Sequence, residues 1–367
     1  MKAVEFVVDR NDLSACRFIE TILPDGDDLP DGALLTKIER FAFTANNITY
    51  ALTGEQLKYW SLFPAPRAPD MVRGIIPVWG FAEVVQSRHP DVPVGERLFG
   101  YVPMASHLVI EAASVSRRGL RDAAPHRQEV APVYNAYARV TNDPAYIGRA
   151  GDQQALMRPL FMLSFLVDDF LAEHEFFGAR SVILSSASSK TAFGLAHLLH
   201  TQRKGIRVIG LTSKANAAFV AALGCYDAIV TYDEIAAMDN DAPAAFVDMA
   251  GSAEVSAQVH RRLGARLVYS GRVGLTHGDA APDQPDLPGA TPSRFFAPDQ
   301  IRKRIGEWGP GGLEQRFAAV WPGVVALLDA SLTIVESRGR AAVERVYGDT
   351  LNGRQGPNQG QILSLLE

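Results

Sequence analysis

The chain has 367 residues, 47% of them hydrophobic, and a formal net charge of −5. This length and composition predict a globular protein with room for two domains, and the acidic balance lacks the basic surface that nucleic-acid binding requires. No apolar run reaches the roughly 18 residues of a membrane span, so we expect no membrane partner and, given the acidic charge, no nucleic-acid partner. The two cysteines exclude a disulfide framework, which favours a cytoplasmic protein.

The first 110 residues are predicted to be rich in β-structure. Apolar and alternating stretches predict strands at residues 4–8, 33–43, 78–85, 97–101 and 107–110, with Pro/Gly turn signals between them. The segment that follows, up to residue 150, is less regular. Helical spacing of apolar residues then begins near Pro159 and ends near His174.

Residues 181–214 carry the most informative pattern in the chain. A short apolar run at 182–184 predicts a buried strand, small polar residues at 185–190 predict a tight turn, and residues 191–200 have helical spacing. A second apolar strand follows at 206–211. This order forms a βαβ unit, whose turn presents backbone N–H groups to an anion at a helix N-terminus.

Three interpretations of this turn remain open. Ser186, Ser189 and Ala192 stand where a dinucleotide-binding fingerprint places its glycines, which favours a bound dinucleotide. Residues 189–191 are similar to the end of a P-loop, which would indicate a nucleotidase, although Leu184 and Ser189 occupy the glycine positions of that motif. The third interpretation is a βαβ unit that binds no ligand.

Strands and helices alternate after the βαβ unit. One helix is predicted at 217–223, and another begins after Gly251 and ends at about residue 263. Strands are predicted at 227–232, 245–249 and 265–270. This alternation is typical of a doubly wound parallel sheet. The proline-rich stretch 272–300 is predicted to be a long loop, and the remainder to mix helix and strand.

Several segments carry a family resemblance: residues 43–50, 76–85, 94–100, 227–230, 295–296 and 307–309. On these segments and on the order of its modules, the chain resembles the medium-chain dehydrogenase/reductase superfamily, and within it the zinc-free quinone-oxidoreductase-like branch. The resemblance implies an α/β protein. A GroES-like substrate domain would comprise residues 1–140 and 300–367, and a doubly wound Rossmann cofactor domain residues 141–299.

The function implied by this resemblance is a zinc-independent, NADP(H)-dependent oxidoreductase. It would transfer hydride to a small-molecule carbonyl, enone or quinone. Because the turn lacks glycine, an NADP(H)-binding redox sensor or subunit without turnover remains an alternative, as does a P-loop nucleotidase. Related folds often dimerise through the last Rossmann strand, so a homodimer through residues 265–270 is one possible assembly.

Metal is not expected. Zinc-dependent members of the superfamily have a Cys near Asn46 and a Gly-His-Glu triplet at the strand entry, whereas this chain has Asn-Asn-Ile at 46–48 and Val-Trp-Gly at 78–80. Their structural zinc lobe needs four clustered cysteines, and this chain has two in all.

The choice of cofactor is indicated by the end of the second Rossmann strand. Thr212, Ser213 and Lys214 stand where NAD enzymes usually place an acid for the ribose hydroxyl. A lysine with two hydroxyls can hold a 2′-phosphate, which favours NADP(H), although Ser213 can also cap the next helix. Three roles remain open for Asp248, which is predicted at a strand end: a residue beside the cofactor, a magnesium ligand, or a residue that stabilises a turn. The predicted cofactor-binding residues are Ser186, Ala187, Ser188, Ser189, Lys190, Thr191, Thr212, Ser213, Lys214, Asn216, Tyr232, Met249, Ala250, Gly251, Ser270 and Phe296.

Tyr50 and Asn46 are the predicted catalytic residues, because residues 43–50 resemble the segment in which an Asn and a nearby Tyr approach the nicotinamide. A neutral phenol can donate a proton or a hydrogen bond to an acceptor oxygen at pH 7, and Asn46 can orient the cofactor through its amide. Tyr134 and Tyr137 are alternative donors, and a purely structural role for Tyr50 is also open.

Overall fold

The computed structural model describes residues 1–239, 241–273 and 287–366. Contacts within the chain define two compact units: unit 1 comprises Met1–Leu156 and Thr333–Glu367, and unit 2 comprises Met157–Leu332. Unit 2 is therefore one continuous segment, and unit 1 is assembled from the two ends of the chain.

The elements up to residue 139 are one helix and nine strands: β1 (Lys2–Asp9), β2 (Cys16–Ile22), β3 (Ala33–Phe43), α1 (Ala45–Leu52), β4 (Arg73–Gly74), β5 (Pro77–Ser87), β6 (Arg97–Pro103), β7 (His107–Ala113), β8 (Gly119–Asp122) and β9 (Ala136–Arg139). The next elements are α2 (Gly151–Glu173), β10 (Ser181–Leu184), α3 (Lys190–Gln202), β11 (Arg207–Thr212), α4 (Ala217–Ala222), β12 (Ala228–Thr231), β13 (Ala244–Asp248), α5 (Ala253–Leu263), β14 (Leu267–Arg272), β15 (Ser293–Arg294), α6 (Ala297–Trp308) and α7 (Gly312–Ser331). The chain then returns to unit 1 with β16 (Thr333–Arg338), α8 (Arg340–Leu351) and β17 (Gln359–Ser364).

Unit 1 contains a closed barrel. Its larger sheet has the order β16-β17-β3-β5-β6-β9-β8-β7, and β7 also pairs with β3, so the six strands from β3 to β7 close on themselves. Ile38, Val84, Leu98 and Ile110 come from four of these strands and are buried in one core cluster. A second, three-stranded sheet has the order β2-β1-β4.

Unit 2 is a doubly wound parallel sheet. Its strand order is β12-β11-β10-β13-β14-β15; counted from the first strand of the unit, this is 3-2-1-4-5-6, the Rossmann order, whose switch point lies between the first and fourth strands. Every residue of β10 and β13 is buried, as expected for central parallel strands covered on both faces. The predicted α/β fold class, a barrel-like β-rich domain and a Rossmann-like domain, is confirmed.

The two units differ from the predicted domain bounds at both ends of the Rossmann segment. Residues 141–156 lie in unit 1, and residues 300–332 lie in unit 2. The helices α6 and α7 pack on α2 within unit 2: Arg304 pairs with Asp169 at 2.6 Å, and the rings of Phe161 and Phe317 are 5.4 Å apart. These long-range contacts leave no local signal in the sequence.

Tyr50 lies inside α1. Most of the predicted loop at 272–300 lies outside the described residues, but its last part contains β15 and the start of α6. Among the described residues, no helix is long and apolar enough to cross a membrane.

Candidate functional site

The β10–α3 turn (residues 185–190) has a backbone that is held by hydrogen bonds within the protein. Ser186 has a φ of +52°, in the left-handed region that favours glycine. Its N–H donates to the Tyr232 hydroxyl at 3.1 Å, and the Ala187 N–H donates to a carbonyl of β11 at 2.9 Å. The Ser189 N–H donates to Ser186 O at 2.8 Å. Three N–H groups that the sequence assigned to a phosphate are thus already engaged.

Side chains support the same turn from outside it. The Tyr226 hydroxyl donates to Ala187 O at 2.8 Å, and Asn216 Nδ2 donates to Ser188 Oγ at 3.0 Å. Tyr226 was not among the predicted residues, and its position after Cys225 gave no motif by which to find it. Hydrogen bonds thus hold the turn through several of its peptide groups and side chains.

The start of α3 is the part of the turn that remains suited to an anion. Ser189 caps this helix by accepting a hydrogen bond from Ala192 N at 3.3 Å. The first N–H groups of a helix, here from Lys190 and Thr191, point away from the helix body and attract negative charge. Burial lowers the pKa of Lys190 to about 8, so this side chain is still mostly cationic at pH 7.

Ser185 and Asp248 join the ends of β10 and β13 at the switch point. Ser185 Oγ donates to Asp248 Oδ1 at 2.6 Å and accepts from the N–H groups of Met249 and Ala250 at 2.8 and 3.0 Å. Asp248 Oδ1 also accepts from Ala250 and Gly251, each at 3.0 Å. Ser185 and Asp248 are almost fully buried. These contacts favour the third interpretation of Asp248, in which the residue stabilises a turn.

The P-loop interpretation finds little support in these contacts. Leu184 would have to provide the first flexible loop position, but it is the last residue of β10 and is fully buried. Asp248, the predicted magnesium ligand in that interpretation, instead accepts three hydrogen bonds through one oxygen.

Lys214 has a partner that the sequence did not indicate. Its Nζ lies 2.6 Å from the carboxylate of Asp233, which follows β12. The hydrogen bond from Lys214 lowers the pKa of Asp233 to about 2, so this carboxylate is ionised at neutral pH. An ionised carboxylate from the residues after β12 thus lies beside Lys214. Ser213 makes no capping hydrogen bond through its side chain.

Other predicted cofactor residues are less closely connected to the turn. Thr212 ends β11 and is buried. The Ser270 hydroxyl lies 2.9 Å from His260 Nε2 in the interior, and Phe296 is 47% exposed and stacks with the Arg294 guanidinium at 5.5 Å. The contacts of Ser270 and Phe296 with other described residues thus lie away from the turn.

In unit 1, Asn46 and Tyr50 lie one turn apart on α1, and Asn46 Nδ2 donates to the Tyr50 hydroxyl at 2.5 Å. The spacing of four residues places both on one face of the helix. Burial and the nearby Tyr134 raise the pKa of Tyr50 to about 12, although hydrogen bonds from neighbouring side chains oppose the increase. Tyr50 is therefore a neutral hydroxyl at physiological pH.

Tyr50 belongs to a tyrosine cluster, comprising Tyr50, Tyr59, Tyr101 and Tyr134. Neighbouring rings around this cluster have centroids 4.8 to 5.8 Å apart. The hydroxyls of Tyr59 and Tyr134 are hydrogen-bonded at 2.9 Å, and burial raises the pKa of each. Four phenols from separate parts of the sequence thus meet in one place.

Tyr137, the other alternative donor, is engaged elsewhere. Its hydroxyl donates to Tyr101 O at 2.5 Å and accepts from the Arg127 guanidinium at 3.0 Å. Arg127 is fully buried and forms an ion pair with Asp122 at 2.7 Å. A proton committed to a backbone carbonyl is poorly placed for transfer, so Tyr137 is a structural residue in this arrangement.

The last prediction at the site concerns metal ligands. Within residues 1–239, 241–273 and 287–366, no group of three or more His, Cys, Asp or Glu side chains could hold a metal ion. Independence from zinc stays a prediction.

Comparison with known proteins gives one family and many similar folds. A family model described as "Protein of unknown function (DUF2855)" matches residues 41–356. No curated protein matches the chain.

Three solved structures illustrate the structural similarity. CurA from Vibrio vulnificus in complex with NADPH is 13% identical, with 99% of each chain covered and a TM-score of 0.59. A mutant enoyl thioester reductase from Candida tropicalis is 11% identical over 99% of this chain and 100% of that chain, with a TM-score of 0.57. A quinone oxidoreductase from Coxiella burnetii is 13% identical, with 99% of each chain covered and a TM-score of 0.55. At these identities the similarity shows the fold alone. The chain has the fold that its resemblance to medium-chain dehydrogenases/reductases implies, and that part of the prediction is confirmed.

Proposed function

We propose that this chain, which belongs to the DUF2855 family because that family's model matches residues 41–356, is an NADP(H)-dependent oxidoreductase. It transfers hydride to a small-molecule carbonyl, enone or quinone, and it does so without zinc. The observation that carries the proposal is the set of hydrogen bonds that joins the ends of β10 and β13 at the switch point of unit 2.

Open α/β sheets bind their ligands outside the carboxyl ends of the strands at such a switch point. The hydrogen bonds between Ser185, Asp248 and the residues after β13 hold the ends of β10 and β13 in a defined arrangement. The β10–α3 turn beside them contains only small side chains from Ser185 to Ser189. Short side chains leave the helix N-terminus open to a pyrophosphate, so the residues present fit a dinucleotide.

Within the turn, the predicted roles become more specific. Because the N–H groups of Ser186, Ala187 and Ser189 already have partners, the N–H groups at the start of α3 and the Lys190 ammonium would hold the pyrophosphate. Lys214 would hold the 2′-phosphate after exchanging its present partner Asp233. NADPH-bound CurA and the NADP-bound yhdH oxidoreductase from Salmonella enterica share this fold and support the choice of cofactor.

The bound nicotinamide would supply hydride. The chain's own part is to bind and orient the reactants and to provide a proton. Tyr50 holds a proton at its hydroxyl throughout the neutral pH range, because its pKa is raised to about 12. Asn46, bonded to the same hydroxyl, keeps it in place. The acceptor classes are supported by relatives of the same fold that are named enoyl thioester reductase and quinone oxidoreductase.

The test measures binding and turnover separately. Enhanced NADPH fluorescence on mixing with the protein, and displacement by 2′-AMP, would report binding. A panel of enones, aldehydes and quinones would then report turnover. Binding without turnover on any panel member would favour the redox sensor, and absence of binding would contradict the proposal. Elemental analysis should find far less than one zinc per chain, and chelator should leave activity unchanged.

A further inference from the structure

Hydrogen-bond donors from two strands of unit 1 pack in the same core cluster as Tyr50. Asn46 on α1 donates to the Tyr50 hydroxyl at 2.5 Å. Trp79 on β5 and Tyr101 on β6 belong to the same core cluster as Tyr50 and, like Asn46, act to lower its pKa. The rings of Trp79 and Tyr101 meet edge to face at 4.4 Å, and those of Tyr50 and Tyr101 are 5.8 Å apart.

Two of these donors have no hydrogen bond of good geometry. Trp79 Nε1 and Tyr101 Oη are both shielded from solvent and unpaired, and Tyr101 is fully buried. A buried donor without a partner destabilises a fold, so two of them beside one hydroxyl require an explanation. In a resting enzyme, catalytic hydrogen bonds are often long or misaligned and tighten only as the reaction proceeds.

The chemistry of the donors indicates what they act on. An indole N–H and an amide NH₂ can donate but cannot accept, so the proton of Tyr50 cannot be directed to Trp79 Nε1 or to Asn46 Nδ2. Tyr101 Oη can accept as well as donate, but it has no hydrogen-bond partner in the structure. None of the three groups therefore holds the Tyr50 proton, which is left for a reacting group. Donors around an oxygen stabilise its ionised form. The other titratable groups that face Tyr50 are Tyr59 and Tyr134, both neutral phenols with raised pKa values.

We propose that Trp79 and Tyr101 are positioning residues which, together with Asn46, stabilise the phenolate that Tyr50 becomes when it gives up its proton. In this step the Tyr50 O–H bond breaks and the proton goes to the acceptor. The acceptor is reduced by the two electrons of the hydride, the nicotinamide is oxidised, and the phenolate later regains a proton from water. The inference rests on the proposed function, because it deepens the role of Tyr50 there.

The decisive experiment measures the ionisation of residue 50 in the full chain without cofactor. 2,3-Difluorotyrosine at position 50 lowers the phenol pKa into an accessible range and is followed by ¹⁹F NMR during a pH titration. Loss of one hydrogen bond to the charged form should raise this pKa by about one unit in Trp79→Phe and in Tyr101→Phe. Trp321→Phe is the matched control, because it removes an equally buried and unpaired indole N–H from unit 2 and should leave the pKa unchanged.

The outcomes separate this inference from a structural role and from the proposed function. If Trp79 and Tyr101 only fill space, both variants should keep the pKa of residue 50, and that result would overturn the inference. If Trp79→Phe does not fold, Tyr101→Phe alone decides. The titration needs no NADPH, so it gives an answer even if the protein fails to bind or turn over the cofactor. With an active enzyme, each variant should slow single turnover about tenfold without changing KM, and should add no further loss to Tyr50→Phe.

Discussion

At the switch point of unit 2, Ser185, Asp248 and three backbone N–H groups bond to one another at 2.6 to 3.0 Å. In the tyrosine cluster of unit 1, by contrast, Trp79 Nε1 and Tyr101 Oη are buried and unpaired. Both regions contain predicted functional residues. In the first, these polar groups form hydrogen bonds with one another, whereas in the second two buried donors have no hydrogen-bond partner.

The difference follows from the side chains and from what each region has to do. Short polar groups at the ends of two adjacent strands can bond to each other, because a sheet holds their backbones at a constant spacing. The result is a platform whose polar groups are already paired with one another. Phenol and indole groups lie at the ends of bulky rings, whose packing determines where the polar atom is. Unpaired donors there are suited to a charge that exists only during a reaction.

The largest expected effect tests the satisfied region. Asp248→Ala should lower the free energy of unfolding by roughly 3 kcal/mol, because it leaves the buried Ser185 hydroxyl and the Gly251 N–H without their acceptor and removes one of the two acceptors of the Ala250 N–H. Asp248→Asn is the control: it keeps an acceptor oxygen and should lose much less. Urea denaturation of both variants measures the difference. Equal losses would mean that the carboxylate's hydrogen bonds contribute little to the platform.

The next effect tests the other region. Tyr50→Phe should lower the rate of hydride transfer on the order of 10²-fold and leave NADPH affinity within about twofold, because the hydroxyl acts on the acceptor. Stopped-flow decay of NADPH absorbance with saturating acceptor measures this rate. Quinones should lose less than simple carbonyls, since they need less proton assistance.

The same measurement across pH provides an internal check. Because the pKa of Tyr50 is raised to about 12, its hydroxyl remains protonated well above neutrality, and its contribution should be constant from about pH 6 to 9. Tyr146→Phe removes a half-buried hydroxyl elsewhere in unit 1 and serves as the control. Unchanged rates in Tyr50→Phe with every acceptor would shift attention to Tyr134.

A smaller effect concerns the charge beside the turn. Lys214→Ala should weaken NADPH binding about tenfold or more and hardly affect NADH. Asp233→Asn should have the opposite sign, because it removes an ionised carboxylate that now competes with a phosphate for Lys214. Fluorescence titrations with both cofactors measure these constants. Equal losses for NADPH and NADH in Lys214→Ala would refute the assignment of the 2′-phosphate.

The smallest effect concerns the backbone of the turn. Ser186 has a φ of +52°, which glycine adopts without strain, so Ser186→Gly should stabilise the protein by roughly 0.5 kcal/mol after the greater flexibility of the unfolded chain is taken into account. Ser188→Gly is the control at a neighbouring position without a left-handed φ and should destabilise. Thermal unfolding distinguishes the two, and a loss of stability in both variants would contradict the strain argument.

Much of the fold was predictable from the sequence, because it is determined by local patterns. The apolar runs of β10 and β13, the helical spacing of α3 and the alternation after residue 181 indicated a doubly wound sheet, since buried parallel strands need continuous apolar stretches. The segments resembling medium-chain dehydrogenases/reductases indicated the barrel of unit 1. The position of the turn followed from the same patterns.

The partners of the functional groups were decided only by the tertiary structure. Asp233 reaches Lys214 because β12 and β11 are adjacent in the sheet, and Trp79 and Tyr101 meet Tyr50 because β5, β6 and α1 pack together. Lys214 and Asp233 are 19 positions apart in the sequence, and Tyr50 and Tyr101 are 51 positions apart. No periodicity in a sequence records these contacts, because hydrogen bonds and charges act through space rather than along the chain. The sequence by itself thus determined which residues were chemically capable, and the packing of strands and helices determined which of them act together.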